Sequence, residues 1–252
     1  MNAFAWKAAL CIAGLSTFAA AESNPWNGQW KADPASLKYM GPQYKIAADA
    51  NGYTVTRGSE VTKIVCDGKP QETQDTMTSC TKSGDGYTLD VTRDGKHVRH
   101  TTISLSDGGK TRTSKSEVTP ADGSKPYTMT IVSTRISGTN ADGMWKETKF
   151  ASSEDNGTLM IEVNGDTAKF KETDYPEPLD VKLDGTQTKM MDGTVALKLA
   201  DPHTLKVTYR DSKDKVRREN TFALSADGKT ITETDITPAP SESKMVLTLH
   251  KM

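Results

Sequence analysis

The residues that could do chemistry in this chain are few, and the first to consider are its four histidines. The stretch "HVRH" places His97 and His100 three residues apart, and residues three apart on a strand point to opposite faces. His203 follows Asp201-Pro202 in a predicted turn, where an exposed position explains it. The sequence also contains no H-x-x-x-H, no G-x-S-x-G and no P-loop. We therefore predict no metal site, no cofactor, no catalytic residue and a protein that is not an enzyme.

Carboxylates and methionines are numerous, but their positions favour structural roles. Acidic residues gather in turn-like segments such as "SSEDNG" and "RDSKD", where solvation accounts for them. A carboxylate pair inside a barrel stays open at this point, because sequence alone does not place it. Of the ten methionines, Met129 and Met245 fall on predicted inward strand positions. Core packing therefore explains them better than copper transport does.

The amino terminus has the pattern of a secretory signal. Lys7 precedes an apolar stretch from Ala8 to Ala20, and small residues stand at Ala19 and Ala21. We predict a signal peptide over residues 1–21, cut after Ala21, and a periplasmic or secreted mature protein. Cleavage before Cys11, as in a lipoprotein, would leave too short an apolar run.

The remaining two cysteines, Cys66 and Cys80, form an even pair in a chain predicted to be exported. Their spacing is not C-x-x-C, which disfavours a reactive thiol pair. We predict a disulfide that closes a loop of about 15 residues and stabilises the fold by roughly 3 kcal/mol.

Charge and hydropathy exclude two classes of partner. The formal net charge is −1 and no basic block occurs, which argues against nucleic-acid binding. After the signal, no run is apolar enough to predict a membrane span. The sequence does not identify a protein partner.

The elements that must position any site are revealed by an internal repeat. A Gly-x-Trp occurs in "NGQW" (27–30) and again in "DGMW" (142–145), 115 residues later. "YTLDVTRD" (87–94) matches "HTLKVTYR" (203–210) at an offset of 116, and "SLSDGGKTRT" (104–113) matches "ALSADGKTIT" (223–232) at 119. Ordered matches at nearly constant offsets indicate a tandem duplication, and we predict two units at 22–136 and 137–252.

Within each unit, apolar and polar residues alternate as in half-buried antiparallel strands. "YTLDV" and "TLKVTY" have this period of two, and Asn-Gly or Asp-Gly turns separate such segments. Eight or nine strands per unit are compatible with a sandwich or a closed barrel. Because hairpin follows hairpin, we predict an all-β fold of two tandem antiparallel up-and-down barrels. One continuous larger barrel is the alternative, although its outer Thr, Lys and Asp residues are too polar for a membrane porin.

The Gly-x-Trp on a first strand resembles the signature of the lipocalins and their calycin relatives. More narrowly, "NPWNGQWKADPASLKY" and "DPHTLKVTY" resemble a group of exported bacterial lipocalin-like proteins of unassigned function. The resemblance implies a barrel floor in which a cation on the last strand packs over the tryptophan. In this sequence the implied floor residues are Gly28, Trp30, Arg135, Gly143, Trp145 and Lys251.

The inward strand positions combine aliphatic residues with tyrosines and give the candidate ligand-binding set. In the first unit these are Tyr87, Leu89, Val91, Tyr127, Met129 and Ile131, and in the second Leu205, Val207, Tyr209, Phe222 and Leu224. Such a wall suits a pocket for a small hydrophobic or lipid-like molecule, and it equally suits a core without a pocket. The resemblance favours an exported binding protein. The alternative is a structural or interaction module of the cell envelope with solid barrel cores.

Overall fold

Strands account for 76% of the residues that the structure describes. A computed structural model describes residues 24–73, 76–120, 123, 125–153, 157–172, 177–190, 193–239 and 242–252. This part of the chain has no α-helix, and its one helical element is a short 3₁₀ turn at Asp107–Gly109. None of its helices is long and apolar enough to cross a membrane. The predicted signal peptide, including Cys11, lies outside the described residues.

One ten-stranded antiparallel sheet is formed by a continuous stretch of chain, and we call it the first barrel. Its strands run in the order β4-β3-β2-β11-β10-β9-β8-β7-β6-β5. Their bounds are β2 Gln43–Asp49, β3 Gly52–Arg57, β4 Glu60–Val65, β5 Gln71–Thr73, β6 Thr76–Ser83, β7 Gly86–Arg93, β8 Lys96–Ser106, β9 Thr111–Val118, β10 Tyr127–Thr139 and β11 Asp142–Ser152.

The second ten-stranded antiparallel sheet, which we call the second barrel, combines the two ends of the chain. Its order is β14-β13-β12-β1-β20-β19-β18-β17-β16-β15. Its strands are β1 Gly28–Met40, β12 Thr158–Asn164, β13 Thr167–Glu172, β14 Leu179–Lys182, β15 Asp184–Met190, β16 Gly193–Asp201, β17 Thr204–Asp211, β18 Val216–Leu224, β19 Thr230–Thr237 and β20 Ser243–Lys251.

The two barrels exchange their first strands. β11, which begins the second repeat, pairs with β10 and β2 of the first barrel, whereas β1 pairs with β12 and β20 of the second. The cause is local: β10 and β11 are joined by a tight turn at Asn140, which has a φ of 52°, and strands joined so closely pair with each other. A hairpin therefore occupies the place where the repeat units meet in the sequence. The units 22–136 and 137–252 stay a prediction about the duplication.

The predicted fold class is confirmed. The chain is all-β and forms two nearly closed, barrel-like antiparallel sheets, each with ten strands rather than eight or nine. The alternative of one continuous barrel does not occur among the described residues, because the strands divide into two separate sheets.

Each barrel has a seam where its edge strands approach each other, and the two seams are built differently. In the first barrel, the predicted disulfide joins Cys66, just after β4, to Cys80 in β6. The side chain of Gln71 adds to this seam, since it accepts a hydrogen bond from Val65 N (3.0 Å) and donates to Val65 O (2.7 Å). In the second barrel, Leu183 lies directly between β14 and β15, and its carbonyl accepts from Leu199 N at 3.0 Å. A disulfide thus stands in one barrel where an apolar residue stands in the other.

The apolar core is larger in the second barrel than in the first. The second barrel has the larger apolar cluster, with fully buried Trp30, Phe170 and Ile231 among its members. The first barrel's cluster is smaller, and its buried residues include polar side chains such as Thr101 and Ser116, whose hydroxyls are 2.9 Å apart. We infer that the first barrel depends more on its covalent seam.

Candidate functional site

The tryptophan of the second barrel has the cation that the sequence predicted, but from the other repeat. Trp30 is completely buried, and its indole N–H donates to Trp26 O at 3.2 Å. Lys251 Nζ lies 5.1 Å from the centre of the Trp30 ring and donates to Pro25 O at 3.1 Å. Gly28 has a φ of 145°, which L side chains rarely adopt, so its backbone conformation favours glycine beneath the lysine.

The tryptophan of the first barrel repeats this geometry in part. Trp145 is completely buried and donates from its indole N–H to Ala141 O at 3.1 Å. Arg135 is its neighbour across the ladder, and the guanidinium donates to Asn140 O at 2.8 Å. Gly143 has a φ of 135°, and a Cβ there would lie 1.9 Å from Ser137 O.

The resemblance implies that each cation packs over the tryptophan of its own repeat, Arg135 over Trp30 and Lys251 over Trp145, and this pairing is wrong. Each tryptophan meets the terminal strand of the other repeat: Lys251 with Trp30, and Arg135 with Trp145. The exchange of β1 and β11 is the reason, because it carries each Gly-x-Trp into the barrel that the other repeat otherwise builds.

The predicted ligand-binding residues lie inside the barrels, but few of them border open space. In the second barrel all five are buried in one cluster, and only Phe222 lines the cavity described below. In the first barrel Leu89 and Val91 are buried, whereas Tyr127, Met129 and Ile131 are half-buried. Tyr87 borders a cavity of about 10 Å³, which has hardly the volume for one water molecule. Their ligand-binding role stays a prediction.

The cavity of interest opens into the second barrel and has a volume of about 420 Å³. Its apolar wall comes from β1, β12, β18 and β20, including Leu159, Phe222 and Leu249. Phe150 of β11 contributes from the first barrel, so the two barrels form this space together. The size lies within the range of small-molecule pockets, about 300 to 1,000 Å³.

A cluster of charged side chains lines the same cavity. Arg218 of β18 forms an ion pair with Glu172 of β13 and lies 3.7 Å from Asp235 of β19. Its guanidinium carbon is 4.2 Å from the centre of the Tyr209 ring. Deeper on β18, Asn220 Nδ2 donates to Glu233 Oε1 at 2.5 Å.

Burial and the neighbouring charges shift the pKa values of three residues in this cluster. Burial, together with the neighbouring Glu172 and Asp235, raises the pKa of Glu233 to about 7. Burial likewise raises the pKa of Asp235 to about 6, although Arg218 partly opposes this. Burial disfavours the charge of Arg218, but Glu172, Tyr209 and Asp235 together outweigh burial and raise the arginine's pKa overall. The cavity thus contains a permanent cation beside carboxyl groups that can hold a proton near neutral pH.

One atom of the cluster lacks a partner. Asn220 is 1% exposed, and its Oδ1 has no hydrogen-bond partner among the residues that the structure describes. An unsatisfied buried carbonyl oxygen costs about 1 to 3 kcal/mol. A buried water molecule that donates to this oxygen would offset that cost.

The sequence analysis missed these residues, although a signal existed. Phe222 and Leu224 were assigned inward, and continuing that period of two backwards along β18 reaches Asn220 and Arg218. The same step along β19, from buried Ile231, reaches Glu233 and Asp235. The sequence left open whether a barrel contains a pair of carboxylates. Glu233 and Asp235 are such a pair, and both lie in the second barrel.

A second cluster with a buried carboxylate joins β1 to the first barrel. Glu147 of β11 is buried, and it accepts hydrogen bonds from Tyr39 Oη of β1 (2.6 Å) and Arg57 Nη2 (3.3 Å). The Tyr39 ring also contacts Phe150, with 5.6 Å between ring centres. We assign this cluster a structural role, because its charges are paired within the protein.

The expected orientation of two histidines was wrong. His97 and His100 lie on the same face of the first barrel, and both contact Asp90 Oδ1. The ladder shifts register between them, since Val91 pairs with Arg99 while Thr92 pairs with His97. The extra residue of this bulge turns His97 to the side of His100. His203 is an exposed turn residue, as predicted.

Comparisons with protein families, curated proteins and solved structures find no match to this chain. The geometry described above is therefore the basis for assigning a function.

Proposed function

We propose that this protein binds a small, mostly apolar molecule in the cavity of the second barrel. The observation that carries the proposal is a partly open cavity of about 420 Å³ with an apolar wall and a half-buried group of charged residues. Placing Arg218 and Glu233 inside a barrel costs free energy, and unlike the Glu147 cluster these residues line a cavity where a ligand could offset that cost. A binding site uses such groups to orient one end of its ligand.

The charges in the cavity suggest the chemistry of that end. Three carboxyl groups, those of Glu172, Glu233 and Asp235, face one guanidinium. We therefore expect the polar end of the ligand to be a hydrogen-bond donor, such as an amine or hydroxyl group. Its apolar body would contact Leu159, Phe222 and Leu249.

The first barrel supports the alternative proposed for this fold, a structural or interaction module. Its cavity beside Tyr53 and Tyr87 holds about 10 Å³, and its seam is closed by a disulfide. We propose that this barrel contributes Phe150 to the mouth of the binding cavity and otherwise acts as a scaffold. Export to the periplasm or beyond remains part of the proposal, supported by the disulfide and the leader pattern.

A cavity-filling variant tests the proposal with a neutral fluorescent dye, Nile red. Leu247 is half-buried and lines the cavity, so Leu247→Trp narrows it. We expect the full chain to bind the dye and the variant to bind it at least about tenfold more weakly, a loss of about 1.4 kcal/mol. The control is Val61→Trp, at a position 66% exposed on the first barrel. Absence of dye binding, or equal binding by both variants, would refute the proposal.

Native mass spectrometry then addresses the natural ligand. Protein purified from its own host is expected to carry a reproducible extra mass that Leu247→Trp lacks. A clean apo mass in both proteins would favour the solid-core module instead.

A further inference from the structure

Three side chains on the outer face of the first barrel converge as metal ligands do. Asp90 of β7 lies opposite His100 of β8 in the ladder, and Asp90 Oδ1 is 2.7 Å from His100 Nδ1. The same oxygen is 3.2 Å from His97 Nε2. One donor atom from each of the three residues lies within 4.8 Å of the others.

The β-bulge is what makes this arrangement possible. In a regular strand, positions three apart face opposite sides, and only one of the two histidines could reach Asp90. The irregular step between Val91 and Thr92 places both imidazoles on the outer face. Bulges commonly re-aim side chains at functional sites. An ordinary surface ion pair would need only one histidine.

The distances and exposure suit an ion. In a tetrahedral site with metal–ligand bonds of about 2.0 to 2.1 Å, ligand atoms are roughly 3.4 Å apart. Opening the two contacts at Asp90 by a fraction of an ångström to this spacing is easy, because all three side chains are 40 to 49% exposed. Glu117 of β9 is the ladder neighbour of His100 on its other side, and although its carboxylate lies outside the converging group, its exposed side chain is free to turn towards the imidazole.

We propose that Asp90, His97 and His100 form a surface site for a divalent first-row transition ion. Two imidazole nitrogens and one carboxylate oxygen are donors that suit Zn²⁺, Ni²⁺ and Cu²⁺ rather than Ca²⁺ or Mg²⁺. A fourth position remains for water or Glu117. The site lies in the first barrel, away from the residues of the binding cavity, so it does not depend on the proposed function.

The test uses the full chain without a polyhistidine tag and Zn²⁺ alone as the probe, in competition with a chromophoric chelator. We expect one tight Zn²⁺ per chain. Loss of even an outer-shell partner typically costs about 10- to 100-fold in metal affinity, so His97→Ala and His100→Ala should each cost at least that much. His203→Ala, at an exposed turn outside the site, is the matched control and should bind as the unchanged protein does.

Asp90→Asn keeps the size of the side chain and removes its charge, and it should weaken Zn²⁺ binding as well. Circular dichroism confirms that each variant is folded before its affinity is compared. A Zn²⁺ affinity unchanged in His97→Ala and His100→Ala, or lowered equally in His203→Ala, overturns the proposal. With Cu²⁺ in place of Zn²⁺, the same ranking of variants at higher affinity supports it.

Discussion

At the scale of single residues, Glu233 is the most informative side chain in the cavity. It is half-buried beside two other carboxyl groups, and Asn220 donates to it. Arg218 compensates Glu172 and Asp235 directly, so Glu233 is the acid whose charge is least offset. The folded protein consequently favours its protonated form.

This predicts a loss of stability as the pH rises. The pKa of Glu233 is about 7 in the folded state against an ordinary 4.5, so the folded state holds the extra proton between these values. The free energy of unfolding must then fall as the pH rises through that window. Between pH 5 and pH 8 we expect Glu233 to cost roughly 2 kcal/mol, at about 1.4 kcal/mol per pKa unit. Urea denaturation at both pH values measures it.

Glu233→Gln should remove most of that pH dependence, since glutamine keeps a similar shape without the charge. Glu219→Gln, exposed on β18, is the control and should behave as the unchanged protein does. Asp235 contributes a smaller loss through about pH 6, which both variants retain. If the unchanged protein and Glu233→Gln lose equal stability between pH 5 and pH 8, the assignment of the proton to Glu233 is wrong.

Residue types inside the barrels were predictable only where they were apolar. Alternation correctly placed Leu205, Val207 and Leu224 in the core, because an apolar side chain has a clear reason to be inside. The same alternation places Arg218 and Glu233 inside. In sequence, however, a polar residue at an inward position looks the same as a polar residue that marks the end of a strand. The chemistry of the cavity therefore became visible only once strand bounds were known.

At the scale of elements, turns and bulges determine which strands pair and which way some side chains point, and the sequence pattern did not predict either. The strands themselves follow from period-two patterns and Asn-Gly or Asp-Gly turns. The repeat pattern predicts a junction between two units near Asn140. In the structure, Asn140 lies instead in the tight turn of the β10–β11 hairpin. Likewise the bulge opposite Val91 has no marked sequence signal, and it reverses the direction of His97.

The seam of the first barrel gives the prediction that belongs to this scale. Replacing both Cys66 and Cys80 by alanine removes the covalent link between the end of β4 and β6 and should cost roughly 3 kcal/mol, as expected for a loop of about 15 residues. The effect should be local to the first barrel, because the second closes at Leu183. Hydrogen exchange read peptide by peptide should show faster exchange in β4 to β6 and little change in β14 to β16.

Leu183→Ala supplies the reciprocal control, since Leu183 is buried at the equivalent seam. It should accelerate exchange in β14 to β16 and spare β4 to β6. Faster exchange in both barrels after loss of the disulfide would mean that the two seams are not independent.

At the scale of the whole molecule, the exchange of first strands makes the two barrels unequal. The first barrel occupies the continuous stretch Gln43–Ser152. The second begins with β1 and resumes only at β12, so the first barrel is inserted within it. The cavity lies where this arrangement brings β1 of one barrel and Phe150 of the other together. A duplication is readable from the repeat, but the exchange depends on which strands a short turn holds together.

The arrangement predicts which pieces of the chain fold alone. A fragment of residues 42–153 contains all ten strands of the first barrel and should unfold cooperatively in urea. A fragment of residues 157–252 lacks β1, and with it the fully buried Trp30, so we expect it to remain poorly folded. Loss of a buried tryptophan alone costs about 3 to 5 kcal/mol, a large share of a small domain's stability. Addition of a peptide of residues 24–41 should restore its β-sheet signal.

A peptide with Trp30→Ala is the matched control and should restore little, because the indole fills the core and carries Lys251. Fragments cut at the repeat boundary, 22–136 and 137–252, distinguish the two architectures. Fragment 22–136 contains β1 but lacks β11, and fragment 137–252 contains β11 but lacks β1. We therefore expect 22–136 to be less stable than 42–153. We also expect 137–252 to be less stable than the complex of 157–252 with its peptide. If the repeat-bounded fragments instead fold well and 42–153 does not, β1 and β11 remain with their own repeats in solution. The cavity wall would then be built from a different strand.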